Sequence, residues 1–179
     1  MVTINSKVVM CGDYAVGKTT FVKIFLGGGT ENGYKATVGV DIGRKIISIN
    51  EQKLVFQIWD LSGQQSFKLI RRQFYTRTKG AILIYDVSRR ETYDNMVNWI
   101  AEMLPETGKI PIVLIANKID LKESDKDYVK SHEGEKLSET ISNKTGMDTP
   151  YFEASAIQQI NDLEPFIALG KSILSQFTI

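Results

Sequence analysis

The chain has 179 residues, of which 42% are hydrophobic and 24% charged, so it has an ordinary globular composition and enough length for a sizeable core. Twenty-two basic residues balance 21 acidic ones, and this net charge of +1 gives no support to nucleic-acid binding. The single cysteine, Cys11, excludes an intramolecular disulfide and is typical of a reducing compartment, so we expect one cytoplasmic domain spanning residues 1–179, with Cys11 in its core.

The first distinctive segment is 12–19, Gly-Asp-Tyr-Ala-Val-Gly-Lys-Thr, which fits the phosphate-binding pattern G-x-x-x-x-G-K-[ST] at every specified position. It follows a short apolar strand predicted over 7–11 and precedes an apolar-faced helix predicted over 20–26. This strand–loop–helix context is what the motif requires, and it disfavours a chance match. Glycines let the backbone wrap around an anion, Lys18 adds a positive charge, and the Thr19 hydroxyl can ligate Mg²⁺.

The rest of the chain shows regular hydrophobic periodicity. Strands are predicted over 44–49 and 54–60, and the polar turn at 50–52 makes them an antiparallel hairpin. After the hairpin, strands are predicted over 81–86, 112–116 and 151–154, and helices over 92–104 and 131–144. A closing helix is predicted to carry on one face Leu163, Phe166, Ile167, Gly170, Ile173, Leu174 and Phe177. This alternation predicts an α/β fold with a mostly parallel six-stranded sheet, one antiparallel strand and helices on both faces.

Ligands of such sheets bind at the carboxyl ends of the strands, so polar residues just after each strand are the candidate site. Asp60 ends the third predicted strand, where a carboxylate can hold the Mg²⁺ shell. Gly63 can then present its N–H to a terminal phosphate, and Gln64 can orient an attacking water.

Two further strand-end segments suit a purine base. Asn117-Lys118-Ile119-Asp120 follows the fifth predicted strand, and the Asp120 carboxylate can accept two N–H bonds from a guanine edge. The segment 153–156, Glu-Ala-Ser-Ala, follows the last strand and can offer backbone N–H groups to a base carbonyl. Each short motif is weak alone, but their order and spacing together are a strong signal.

With these motifs in place, the chain resembles the small GTPases of the Ras superfamily, and most of all their Rab branch. The resemblance extends from about residue 7 to residue 177 and also rests on segments 37–41, 58–60, 82–87 and 133–137. It implies a P-loop NTPase G domain that binds GTP or GDP with Mg²⁺, hydrolyses GTP to GDP and phosphate, and acts as a switch.

The resemblance also implies roles for individual residues. Gln64, Lys18 and Thr37 would be catalytic, and Thr19, Thr37 and Asp60 would hold the metal. The nucleotide-binding residues would be Asp13, Tyr14, Ala15, Val16, Gly17, Lys18, Thr19, Thr20, Tyr34, Thr37, Gly63, Asn117, Lys118, Asp120, Ser155, Ala156 and Ile157. An apolar trio, Ile42, Trp59 and Phe74, would face effector, exchange-factor and GTPase-activating proteins, although ordinary core packing is the alternative. We expect a monomer.

The chain departs from the family pattern at three positions. Tyr14 places bulk beside the expected γ-phosphate, which predicts slow hydrolysis. Thr30 stands where the family has an aromatic ring on the base, and Ile157 replaces a lysine, so we expect rapid GDP release. The segment between Asp120 and Ser155 is about eight residues longer than the Rab pattern, and its polar residues 142–149 suggest a surface extension.

Two other functions remain open as alternatives. Tyr14 favours a GTP-binding interaction module with negligible hydrolysis, whereas Gln64 argues against it. A P-loop kinase or an adenine-specific ATPase is disfavoured by Asp120, because adenine has no matching pair of N–H groups.

The sequence predicts no arginine that acts on the γ-phosphate from within the chain, so an activating partner would supply one. Arg71, Arg72 and Arg77 are expected to be solvated. Val2 excludes myristoylation and the chain as given ends without a cysteine, so we expect no lipid anchor; any peripheral membrane association would need a partner or a missing tail.

Overall fold

The computed structural model describes residues 3–28, 38–49, 51–122 and 127–177. Its strands are β1 (Thr3–Cys11), β2 (Val40–Ile49), β3 (Gln52–Leu61), β4 (Gly80–Asp86), β5 (Ile112–Asn117) and β6 (Tyr151–Ala154). Its α-helices are α1 (Lys18–Leu26), α2 (Lys68–Arg71), α3 (Arg90–Asp94), α4 (Met96–Thr107), α5 (Ser131–Thr145) and α6 (Glu164–Ser175). Short 3₁₀ turns lie at Gln65–Phe67, Arg72–Tyr75 and Ile119–Leu121.

The six strands form one sheet in the order β2-β3-β1-β4-β5-β6. Only the β2–β3 pair is antiparallel, with Ile42 opposite Trp59, and all other neighbours are parallel. The predicted α/β fold is therefore confirmed. Because β1 lies between β3 and β4, the carboxyl ends of these strands bring the segments that follow them together at one edge.

Each face of the sheet is covered by helices, and the alternation of side chains along β1 serves both layers. Val8 and Met10 contribute to the core under α1 and α6, where the rings of Phe25 and Phe166 stack at 3.9 Å. Val9 and Cys11 contribute to the opposite core, under α4 and α5. Cys11 is fully buried at the end of β1, as the sequence predicts.

The predicted helix faces are only partly correct. In α6 the buried residues are Pro165, Phe166, Leu169, Gly170, Ile173 and Leu174, whereas Ile167 in the helix and Leu163 and Phe177 at its two ends are 39–50% exposed. A helix that packs on one flat sheet buries a single stripe at spacings of three and four, so residues one position away from that stripe face solvent. Hydrophobicity alone does not separate the stripe from its flank.

The predicted helix over 92–104 begins earlier, at Arg90, and is interrupted at Asn95 between α3 and α4. The segment 142–149, expected to be a surface extension, begins inside α5 and is mixed, because Asn143, Lys144 and Asp148 are exposed while two threonines are buried. Thr145 and Thr149 are both 2% exposed, and the Thr149 N–H donates to the Ser142 hydroxyl at 2.9 Å. Among the described residues, no helix combines the length and hydrophobicity needed to cross a membrane.

Candidate functional site

The glycine-rich loop between β1 and α1 is packed so closely that its two motif glycines admit no side chain. A Cβ at Gly12 would lie 2.1 Å from the carbonyl oxygen of Ile84, and one at Gly17 would lie 2.2 Å from Nδ2 of Asn117. Gly17, with φ of 107°, caps α1, which begins at Lys18. The loop therefore lies against β4 and β5, with the positive end of a helix at its C-terminal side.

Lys18 lies inside this loop and is only 6% exposed. Its Nζ donates to the carbonyl oxygens of Gly12 at 2.7 Å and of Asp13 at 2.8 Å. Burial lowers the pKa of Lys18 to about 8, and the nearby Asp60 carboxylate opposes this shift. The ammonium thus sits where it can bind an anion held by the loop.

Thr19 and Asp60 form the oxygen pair predicted for a metal. The Thr19 hydroxyl donates to Oδ2 of Asp60. The contact arises because Asp60 pairs with Met10 on neighbouring strands, β3 and β1, while Thr19 lies in the first turn of α1. Hydroxyl and carboxylate oxygens are ligands that Mg²⁺ prefers, so this donor set fits that ion.

Gly63 contacts the same loop directly. A Cβ at Gly63 would lie 2.3 Å from the carbonyl carbon of Asp13 and 2.4 Å from the backbone nitrogen of Tyr14. The half-buried Gln64 follows, and its N–H faces the Ser62 hydroxyl at 3.4 Å. The sequence-predicted Gly63–Gln64 segment is therefore beside the phosphate loop, which is where a water-orienting glutamine is needed.

The two predicted base segments lie close to each other and to the loop. Asn117 Nδ2 donates to the carbonyl oxygen of Val16 at 2.7 Å, and the Asn117 Oδ1 accepts the N–H of Ala156 at 3.3 Å. The Ser155 hydroxyl donates to a carboxylate oxygen of Asp120. One buried asparagine thus joins the phosphate loop to the segment after β6, and Ser155 contacts the carboxylate predicted to select the base.

Lys118 adopts a left-handed backbone conformation with φ of 66°, and its Nζ pairs with Oδ2 of Asp86 at 2.7 Å. Asp86 also accepts the N–H and hydroxyl of Ser88, so the segment after β4 is tied to the base segment. Ile157 is 65% exposed at this edge, where it is available as apolar cover for a ligand.

The remaining predicted site residues fall into two groups. Ala15, at φ of 62°, lies in the phosphate loop, and the half-buried Thr20 lies in the first turn of α1. Tyr34, Thr37 and also Thr30 lie outside the described residues. Their assigned roles remain sequence predictions.

This arrangement agrees with the comparison to known families. A model described as the Ras family matches residues 7–175. The chain belongs to the Ras family. It is therefore a small GTPase, that is, a P-loop protein that binds guanine nucleotides and switches between nucleotide states.

In this Ras-family protein Arg71 is buried, and the expectation that it is solvated is wrong. Arg71 is 2% exposed because its guanidinium makes a bidentate pair with Glu102 of α4, with both N–O distances at 3.0 Å. Its Nη1 also donates to the carbonyl oxygens of Ser62 at 3.0 Å and Gln64 at 2.9 Å. Arg72 and Arg77 are exposed, as expected.

Asp13 connects the phosphate loop of this GTPase to α4, a contact that the sequence motif does not specify. Its Oδ1 accepts Nδ2 of Asn95 at 2.6 Å and Nε1 of Trp99 at 2.7 Å. Asn95 is the residue that interrupts the predicted helix, and Trp99 also stacks under the Arg71 guanidinium, 4.1 Å from ring centroid to Cζ. The loop and the Gly63–Gln64 segment therefore share one supporting helix.

Arg89 is a site residue that the sequence interpretation missed. It follows β4 and its Nη1 donates to the carbonyl oxygen of Tyr14 at 3.0 Å, while its Nε pairs with Glu91 at 3.1 Å. Its position in the sequence, three residues after Asp86, could have indicated a contact with the phosphate loop. The carboxyl end of β4 lies beside that of β1, and the phosphate loop follows β1. Arginine is not among the carboxylate, amide and glycine residues that mark a phosphate or base contact in the sequence.

The predicted apolar trio of this GTPase is contiguous but unevenly exposed. Ile42 is 55% exposed and lies opposite Trp59 on the β2–β3 hairpin. The half-buried rings of Trp59 and Phe74 lie 5.8 Å apart, and Lys7 Nζ lies 3.9 Å from the Trp59 centroid. Trp59 and Phe74 therefore pack partly into the core, while Ile42 faces solvent.

Proposed function

We propose that this Ras-family protein is a Rab-like switch, with one G domain over residues 1–179, that hydrolyses GTP to GDP and phosphate with Mg²⁺. Lys18 and the loop N–H groups would bind the phosphates, and Gln64 would orient the attacking water. Thr19 and Asp60, together with Thr37, would hold the metal. Mg²⁺ would neutralise charge on the terminal phosphates when bound. Asp120, contacted by Ser155, would select guanine.

The observation that carries this proposal is the packing of Gly63 on the Asp13–Tyr14 peptide of the phosphate loop. The contact supports the proposal because Gln64 then lies beside the loop that encloses Lys18, so the residue proposed to orient water and the residue proposed to bind phosphate are at one edge. In GTPases of this class, positioning and charge stabilisation account for most of the catalysis, and these two groups supply both.

A single-turnover experiment tests the proposal. The protein is exchanged into GTP with Mg²⁺, free nucleotide is removed, and the bound nucleotide is identified by chromatography over time. We expect bound GTP to become bound GDP, and we expect Gln64→Ala to slow this conversion. Gln73→Ala, which alters an exposed glutamine in the same region, is the matched control and should leave the rate unchanged.

A GTP-binding module with negligible hydrolysis is the second candidate, and one observation favours it. Tyr14, 43% exposed, occupies the loop position against which Gly63 packs. A ring there can obstruct Gln64 or an arginine supplied by a partner. Bound GTP that stays intact for many hours, in wild type and Gln64→Ala alike, would support this candidate and contradict the first.

We also propose that regulators and effectors of this switch bind at the exposed edge around Ile42, with Trp59 and Phe74 behind it. The support is the 55% exposure of Ile42 beside two aromatic rings, since aromatic side chains are enriched at protein interfaces. Replacing Ile42 by Asp should abolish capture of GTP-state partners without altering nucleotide affinity.

A further inference from the structure

We propose that Arg71 is a positioning residue that directs the N–H of Gly63 toward the terminal phosphate and thereby favours GTP over GDP. The proposal rests on the proposed function and on the expectation, drawn from the sequence, that the Gly63 N–H meets the γ-phosphate. It assigns a role to a buried charge that no motif in the sequence specifies.

The guanidinium of Arg71 contacts the residues on both sides of Gly63. Nη1 of Arg71 donates to the carbonyl oxygens of both Ser62 and Gln64, the residues that flank Gly63. The Ser62 carbonyl and the Gly63 N–H belong to one trans peptide, so they point in opposite directions. By binding that carbonyl, Arg71 turns the Gly63 N–H to the side away from the guanidinium.

Arg71 holds the short segment from Ser62 to Gln64. Ser62, Gly63 and Gln64 belong to no helix or strand, so a regular hydrogen-bond ladder does not set the orientation of the Ser62–Gly63 peptide. Glycine also rotates more freely than any other residue. The bond from Arg71 to the Ser62 carbonyl acts directly on the Ser62–Gly63 peptide, whereas the other described hydrogen bonds of this segment, such as Ser62 N–H to the Gly39 carbonyl at 2.9 Å, act on neighbouring peptides.

Arg71 is itself held in place. Glu102 of α4 accepts two bonds from the guanidinium and a third, at 2.8 Å, from the hydroxyl of Tyr75, while the Trp99 ring stacks on the guanidinium. A buried ion pair adds little net stability relative to apolar residues of the same size, so stability alone does not account for this one. A planar guanidinium that donates to two backbone carbonyls and one carboxylate is instead suited to holding a backbone in place.

The held peptide is also connected to the phosphate loop. The same helix, α4, binds Asp13 through Trp99, and Asn95, which caps its start, adds a second hydrogen bond. Thus α4 fixes the loop on one side and, through Glu102 and Arg71, the Gly63 peptide on the other. Gly63 packs against the Asp13–Tyr14 peptide, so its backbone lies beside the loop in which the phosphates would bind.

The test compares affinities for GDP and for a slowly hydrolysed GTP analogue, both with Mg²⁺. Arg71→Lys keeps the charge but removes the guanidinium, and Arg72→Lys makes the same change at a neighbouring exposed arginine paired with Glu106. We expect Arg71→Lys to raise the ratio of the analogue Kd to the GDP Kd about tenfold, the effect of losing one aligned phosphate contact. Arg72→Lys should leave the ratio unchanged.

A second variant guards against simple unfolding. The double variant Arg71→Met with Glu102→Gln removes the guanidinium without leaving an unpaired buried charge and retains an acceptor for Tyr75. It should shift the ratio as Arg71→Lys does. Equal losses for both nucleotides, or failure of both variants to fold, would make Arg71 merely structural and overturn the proposal. A wild-type protein that binds neither nucleotide would instead refute the proposed function itself.

Discussion

Replacing Arg89 by alanine is the sharpest test of how the phosphate loop is held. Nη1 of Arg89 binds the carbonyl of Tyr14, and the same trans peptide carries the N–H of Ala15. That N–H therefore points away from Arg89, and we expect it to face the bound phosphates. In this orientation Ala15 has a φ of 62°, in the left-handed region that residues with a Cβ avoid.

The expected loss of nucleotide affinity in Arg89→Ala follows from two opposing free-energy terms. A left-handed conformation costs a residue with a Cβ about 1–2 kcal/mol. A hydrogen bond from a charged donor contributes about 1.5–3 kcal/mol, and the one-third exposure of Arg89 places it near the lower end. The two terms are comparable, so without Arg89 the competent orientation becomes a minority. A fall of its population to about one-tenth raises the apparent Kd about tenfold.

The assay is the equilibrium affinity for GDP with Mg²⁺, measured by displacement of a fluorescent analogue. Arg90→Ala is the matched control, because it removes the same charge one residue away, where Arg90 pairs with Glu133 at 2.7 Å instead of the loop. Ala15→Gly removes the strain, so adding Arg89→Ala in that background should weaken binding only about twofold or threefold. Equal effects of Arg89→Ala and Arg90→Ala, or an undiminished effect beside Ala15→Gly, would refute this reasoning.

Three further predictions concern other residues. Tyr14→Gly should raise the single-turnover GTPase rate roughly tenfold, about 1.4 kcal/mol of crowding relieved in the transition state, and an unchanged rate would contradict the obstruction. Thr30→Phe should slow the release of a fluorescent GDP analogue in stopped-flow, because an aromatic ring would restore cover over the base. Burial raises the pKa of Cys11 from 9.0 to about 12, so the unfolded chain loses this proton first and the contribution of Cys11 to stability falls as pH rises above 9. Lys18, whose pKa burial lowers to about 8, contributes the opposite slope, so the test is the difference between variants: in urea titrations the unfolding free energy of wild type relative to Cys11→Ala should fall by about 1.4 kcal/mol per pH unit above pH 9.

The elements that the sequence predicts well are those specified by local information. The fully buried strands β4 and β5 are short apolar runs between polar turns, and the predictions 81–86 and 112–116 match them within one residue, as 151–154 matches the edge strand β6. The first strand begins four residues earlier than predicted, because its polar start at Thr3 carries no apolar run. The phosphate loop and the Asn117–Asp120 segment are contiguous motifs, so their chemistry is visible before the fold is known. The α6 face shows the limit, since Ile167 and Phe166 are equally apolar but only packing against the sheet buries Phe166.

The site residues that the sequence does not predict are those whose partners are distant in the chain. Arg71 meets Glu102 thirty-one positions later, and Arg89 meets Tyr14 seventy-five positions earlier. An arginine in a polar segment is predicted to be exposed to solvent unless its hydrogen-bond acceptors are known. Apart from the Glu102 carboxylate, those acceptors are backbone carbonyls, which every residue carries and no motif marks.

The placement of both arginines follows a common physical requirement. A phosphate site made of backbone N–H groups needs its peptides turned inward, and each inward N–H leaves a carbonyl facing outward. Arg89 binds such a carbonyl behind Ala15, and Arg71 binds one behind Gly63. Arg89 acts on the loop that would contact GDP and GTP alike, whereas Arg71 acts on a peptide that would contact only the γ-phosphate. Loss of Arg89 should therefore weaken both nucleotides together, and loss of Arg71 should separate them, so the pair of variants distinguishes loop orientation from γ-phosphate sensing within one protein.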